Sequence, residues 1–148
     1  YSNNRMVKVK FNMKFNQIKE TCLYVANLDA AKSFYNGKLG LELMSFVEGN
    51  HVFFRAGSSV LLCFNAEVTK NKTQIPAHYG AGDIHFALEV DVADYESSKQ
   101  QVIAAGIEIE QEVDWGIGMH SFYFRDPEHN LVEIVQAGFW ERLIAADQ

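Results

Sequence analysis

Glu133 stands inside the run Leu131-Val132-Glu133-Ile134-Val135. A carboxylate among such residues is costly unless it is paired, hydrogen-bonded or bound to a cation. His85 likewise falls within Ile84-His85-Phe86-Ala87-Leu88, and Glu20 opens the apolar stretch that runs to Val25. Imidazole and carboxylates drawn from different strands are ordinary ligands for a divalent ion. A carboxylate that can leave the ion can also carry a proton, so Glu20 and Glu133 are candidate catalytic groups as well as ligands. Each residue alone has a plainer reading: His85 as a satisfied strand histidine, Glu133 as half of a salt bridge with an arginine, Glu20 as a solvated acid at a strand start. The side to which each one points is what joins them.

Side chains alternate along a strand. Ile84, Phe86, Leu88 and Val90 make one apolar face, the one that meets a helix, so His85, Ala87 and Glu89 face the other way. By the same count Glu20, Cys22 and Tyr24 turn from the first helix, and Leu131, Glu133 and Val135 turn from the second. Glu20, His85 and Glu133 therefore belong to one kind of face.

The elements that carry them come twice. Glu20–Val25, a short gap, an apolar-faced helix ending at Gly40 and a further strand are followed by Val52-Phe53-Phe54-Arg55. His85–Val90, a gap, a helix ending at Gly106 and a strand are followed by Phe122-Tyr123-Phe124-Arg125. Asn27 or Asp29 can cap the first helix and Gly40 stops it. Strands are expected at 41–47, 51–55 and 59–65, then at 84–90, 107–113, 120–125 and 131–136, with the second helix at 94–105. Asp126-Pro127-Glu128-His129-Asn130 is turn chemistry. Residues 66–82 read as a polar connection and 139–146 as a short closing helix. The fold class is α+β, two βαβββ modules at about 16–65 and 83–137 within one domain over 13–148. Residues 1–12 read as an N-terminal extension without a function.

Composition narrows the function. Of 148 residues, 48% are apolar, enough for a core without disulfide staples. The formal charge of −6 argues against a phosphate-binding surface and hence against nucleic acid. No apolar run approaches the roughly 20 residues that span a bilayer, so no membrane association is expected. Cys22 and Cys63 both lie in apolar runs and make no disulfide framework, which points to the cytoplasm. With eleven Phe and six Tyr a ring-lined cavity is plausible. Tyr24, Trp115 and His120 are the candidate pocket residues, Trp115 and His120 flanking Gly116-Ile117-Gly118 as a possible gate. Phe34 and Tyr123 read better as packing.

Three stretches carry a family resemblance. Glu20-Thr-Cys-Leu-Tyr-Val-Ala-Asn-Leu-Asp-Ala-Ala-Lys-Ser-Phe-Tyr35 with Leu39-Gly40-Leu41, then Asp83-Ile-His-Phe-Ala-Leu88, then Phe124-Arg-Asp-Pro-Glu-His-Asn-Leu-Val-Glu133 resemble, in order, the vicinal oxygen chelate superfamily of glyoxalases, bleomycin resistance proteins and dioxygenases. The resemblance implies a cupped, incomplete mixed β-barrel with helices outside, and commonly a homodimer. It implies a divalent metal (Mn, Ni, Zn, Fe or Mg) held by Glu20, in a place usually taken by His, with His85 and Glu133. The fourth family position falls on Leu62, which cannot ligate, so the set departs from four-ligand glyoxalase I sites. Two carboxylates and one His also depart from the two-His set of extradiol dioxygenases. The function implied is a metal-dependent lyase, isomerase or group-transfer enzyme acting on a small substrate with vicinal oxygens. The alternatives are a metal-free drug-sequestering protein of bleomycin-resistance type and a ring-cleaving dioxygenase.

Overall fold

In the computed structural model, residues 13–147 are described; the extension expected at 1–12 lies outside them. The first module runs β1 (Glu20–Tyr24), α1 (Leu28–Lys32) continued by a wide π turn (Ser33–Lys38), β2 (Glu42–Val47), β3 (His51–Ala56) and β4 (Ser59–Phe64). A short helix, α2 (Ala66–Thr69), opens the connection. The second module runs β5 (His85–Val90), a single 3₁₀ turn, α3 (Tyr95–Ala104), β6 (Gln111–Asp114), β7 (His120–Arg125) and β8 (Leu131–Gln136), closed by α4 (Phe139–Ala146).

Each module makes one four-stranded mixed sheet, ordered β1-β4-β3-β2 and β5-β8-β7-β6, and neither closes into a barrel. The outer β1–β4 and β5–β8 pairs are parallel and the rest antiparallel. The registers repeat: Cys22 opposes Leu62, which opposes Phe53, as Ala87 opposes Glu133, which opposes Tyr123.

Three local differences from the sequence reading have physical causes. Asn27 caps α1, its Oδ1 accepting from the Ala30 N–H at 2.9 Å, but the helix widens after Lys32. There the Leu39 N–H reaches the Phe34 carbonyl, five residues back, at 3.0 Å, and the adjacent rings Phe34 and Tyr35 are both buried. The strand expected from 107 begins at Gln111, because Ile107 and Ile109 pack onto the core as irregular chain. The helix α2 was not foreseen, although Asn65 caps it through the Glu67 N–H at 3.0 Å.

The helix-facing side chains of both sheets share one core. Leu23, Val52, Phe54 and Leu61 of the first module join Phe122, Phe124, Val132 and Ile134 of the second, with Phe34 and Tyr35 between them. The Tyr35 ring lies 5.5 Å from that of Phe54 and 6.3 Å from that of Phe86. Burying rings of this size contributes on the order of 2–3 kcal/mol each. The Asp-Pro turn bolts the modules together. Tyr35 donates its hydroxyl to the buried Asp126 carboxylate at 2.6 Å, and Glu128 accepts from the Ala26 N–H at 2.7 Å. Both sheets put their helix-side residues into this common core, so the opposite faces point away from it. Those outer faces carry Glu20 in one module and His85 with Glu133 in the other.

Candidate functional site

On the outer face of the second sheet, β8 presents Glu133, 8% exposed, between β5 and β7. His85 sits diagonally across on β5, its Nε2 3.1 Å from Glu133 Oε1. The other ring nitrogen, Nδ1, is 3.1 Å from the Leu131 carbonyl. A backbone carbonyl only accepts, so Nδ1 carries the proton. In the neutral ring the Nε2 lone pair then faces a carboxylate oxygen, two acceptors at contact distance. A proton or a metal ion must lie between them. Such a donor pair suits a divalent cation, and the hydrogen bond to Leu131 is the orienting contact a ligating imidazole needs.

Tyr123 completes this face. Burial, and then the Glu133 charge, raise its phenol above the ordinary value, while the Ser121 hydroxyl acts the other way. Its ring lies 5.9 Å from that of His85. Ser121 Oγ donates to the Tyr123 hydroxyl at 3.4 Å and accepts from the Trp115 indole N–H at 3.0 Å. Trp115 thus reaches the end of a polar chain leading to Glu133. Its ring packs 5.1 Å from Phe139 of α4, and Arg142 of the same helix donates to the Ile117 carbonyl at 3.4 Å. The expected gate is a turn closed by the Trp115 N–H on the Met119 carbonyl at 3.0 Å, with positive φ at Gly116 and Gly118.

His120 is not brought to this face. It shares the parity of Phe122 and Phe124, and its ring lies 6.3 Å from that of Tyr95 at the start of α3. The parity that places Glu133 would have put Tyr123 on its face and His120 on the other. Tyr123, whose better reading from sequence is packing, lies on the Glu133 face. Glu20, exposed at the start of β1, belongs to the other sheet. Among the described residues no group of three or more His, Cys, Asp or Glu side chains gathers at one point, so a single chain does not assemble Glu20, His85 and Glu133. Tyr24, also on the first sheet, hydrogen-bonds through its hydroxyl to His78 Nδ1 at 2.7 Å. A cleft of about 670 Å³ between β4 and β5 is lined by Thr21, Leu61, Phe86, Leu88 and Gln101 among others, and includes none of the polar candidates.

The model of the glyoxalase/bleomycin resistance protein/dioxygenase superfamily matches residues 16–134. The chain belongs to that superfamily. A lactoylglutathione lyase from Agrobacterium tumefaciens is similar at 34% identity over 86% of this chain and 98% of that one, with a TM-score of 0.81. A glyoxalase/bleomycin resistance protein/dioxygenase from Nocardioides (23% identity, 84% and 85% covered, TM-score 0.67) and a fosfomycin resistance protein from Mesorhizobium loti (18%, 88% and 99%, TM-score 0.60) share the fold. No curated protein sequence matches. Superfamily membership fits the repeated βαβββ unit and the Asp-Pro turn before β8. Among the described residues no helix is long and apolar enough to cross a membrane, and both cysteines are free thiols.

Proposed function

We propose that this chain is a divalent-metal-dependent enzyme acting on a small substrate with two adjacent oxygens, by isomerisation, lysis or group transfer. In this reading His85 and Glu133 hold the ion together with Glu20 of a second copy. The observation that carries it is the facing of His85 Nε2 and Glu133 Oε1 with Nδ1 already committed to a carbonyl. Glu20 and His85 occupy repeat-equivalent strand positions, and their faces turn from one shared core, so a second copy is the natural source of the missing carboxylate. When bound, the ion would stabilise negative charge on a substrate oxygen. The chain's own part is to orient and to move protons. Leu131 fixes the imidazole, Tyr123 presents its hydroxyl beside Glu133 with Ser121 behind it, and the exposed Glu20 carboxylate is placed to take or return a proton. α4 and Trp115 shield one end of the face from water.

A metal-free binder of the bleomycin-resistance type is the second reading, favoured by Leu62 standing where the repeat would put a second buried carboxylate. A ring-cleaving dioxygenase fits less well, because Glu20 replaces an imidazole. The test is titration of Mn²⁺, Ni²⁺, Zn²⁺ and Fe²⁺ into metal-stripped wild type, His85→Ala and Glu20→Ala, with oligomeric state followed in parallel. Near-stoichiometric binding lost in His85→Ala and weakened about tenfold or more in Glu20→Ala is expected. Absence of binding in wild type would leave a proton shared between His85 and Glu133, and the metal-free reading.

A further inference from the structure

The outer face of the first sheet repeats the geometry of the second with different chemistry. Parity puts Leu62 and Phe64 of β4 beside His51 and Phe53 of β3, with Tyr24 of β1 at the edge and His78 of the connection folded over them. Phe53 and Phe64 meet edge to face, centroids 5.3 Å apart at 75°. His78 meets Phe64 in the same manner at 5.0 Å and 77°. His51 lies flat on Phe53 at 3.9 Å and 9°. Polar atoms occur at two ends: the Tyr24 hydroxyl with His78 Nδ1 at 2.7 Å, and His51 Nε2 with Ser45 Oγ at 3.0 Å. The connection is fitted closely to this wall. A Cβ on Gly80 would stand 2.9 Å from the Tyr24 ring, so a side chain there would have to displace the ring.

The wall is half-buried and aromatic, with the charge of Lys72 near His51. Arg55, of the same parity, is committed to Glu42 at 3.0 Å. Burial and the charge of Lys72 hold the His51 imidazole below its ordinary value, so it is a neutral ring at neutral pH. A cationic guest would lose its hydration here and be repelled by Lys72. A flat ring would meet ring edges and faces at the separations such pairs prefer, and would lose little internal freedom.

We propose that this wall selects the substrate: the part beyond the chelating oxygens is a flat ring without positive charge, seated against Phe53 and Phe64, with Tyr24 and His51 at its rim. The assignment deepens the metal-enzyme reading and rests on it for where the substrate's oxygens go, since the wall of one copy would face His85 and Glu133 of another. The ring's seat itself needs no metal, which lets the two fail separately.

The probe is 2-naphthol, titrated into metal-stripped protein and followed by its own fluorescence. Saturable binding is expected, weakened at least tenfold in Phe53→Leu, which keeps an apolar side chain at this half-buried position and removes the ring. Cyclohexanol, apolar but not flat, should compete at least tenfold more weakly than phenol. Wild-type affinity in Phe53→Leu, equal competition by cyclohexanol, or no saturable binding by wild type would each overturn the assignment. The same samples titrated with Mn²⁺ report on the other reading: ring binding without metal binding leaves the wall standing and removes the enzyme, and metal binding without ring binding does the reverse.

Discussion

Where the second module sets Glu133 between Tyr123 and Ala87, the first sets Leu62 between Phe53 and Cys22. The strands, parity and register agree, yet one outer face is polar around a buried carboxylate and the other is a wall of rings. The turns before the last strands differ in the same sense. In the first module β3 and β4 are joined through Gly57 and Ser58, a tight reversal with positive φ at Gly57. In the second, Asp126 takes four donors: Tyr35 Oη at 2.6 Å, Asn130 Nδ2 at 3.0 Å, and the Glu128 and Asn130 N–H groups at 2.9 and 2.8 Å. A repeated backbone thus carries two kinds of investment, and the module with the candidate ligands is also the one that bolts the halves together.

The sharpest test of that asymmetry is Asp126→Ala against Ser58→Ala. The first strands four donors, most of them buried, and should cost about 3 kcal/mol. The second, at an exposed turn, should stay within about 0.5 kcal/mol. Urea denaturation of both reads the difference, and equal losses would mean the bolt is not where the modules are joined.

Converting one face into the other is the next test. Glu133→Leu gives the second module the residue the first has at that position. Metal binding should disappear while stability is unchanged or higher by about 1 kcal/mol, because a buried charge has been replaced by packed apolar volume. A loss of several kcal/mol would instead say that the His85–Glu133 pair is part of the fold's own support.

The smallest expected effect concerns protons. His51 answers in register to Ser121, which does not titrate in this range. With the folded imidazole held down by burial and by Lys72, the unfolded chain takes up the proton first as pH falls. Native stability should therefore decline as pH drops below about 6.5, the ordinary histidine value. His51→Gln should flatten that decline, measured as the urea midpoint between pH 7.5 and 5.5. An unchanged slope would remove His51 from the buried part of the wall.

Much of this was legible in the chain. Alternation along β1, β5 and β8 told which face Glu20, His85 and Glu133 share, because a strand's period is two whatever its surroundings. The repeat told that the elements come twice. Distance between modules was not legible: parity says which way a side chain points, but not that the two outer faces turn from one core, so Glu20 looked like a neighbour of His85 within one chain. For His120 and Tyr123, residue type and parity point different ways. Beside a glycine turn, an imidazole suggests chemistry and a phenol between phenylalanines suggests packing, whereas burial is decided by parity and not by residue type. The start of β6 failed because Ile107 and Ile109 alternate as a strand would while binding the core as irregular chain.

The strand orders have one more consequence. Among the described residues β1 and β5 each end their sheet with one edge unpaired, and such edges are templates for further strands. If β1 of one molecule lies against β5 of another, the reverse contact can form at the same moment about a two-fold axis, and the assembly stops at two. Were the axis lost, by a change in the angle between the modules, the same pair of edges would join head to tail without limit. The Tyr35–Asp126 bolt, by fixing that angle, would then decide whether such edges yield a counted particle or a growing fibre.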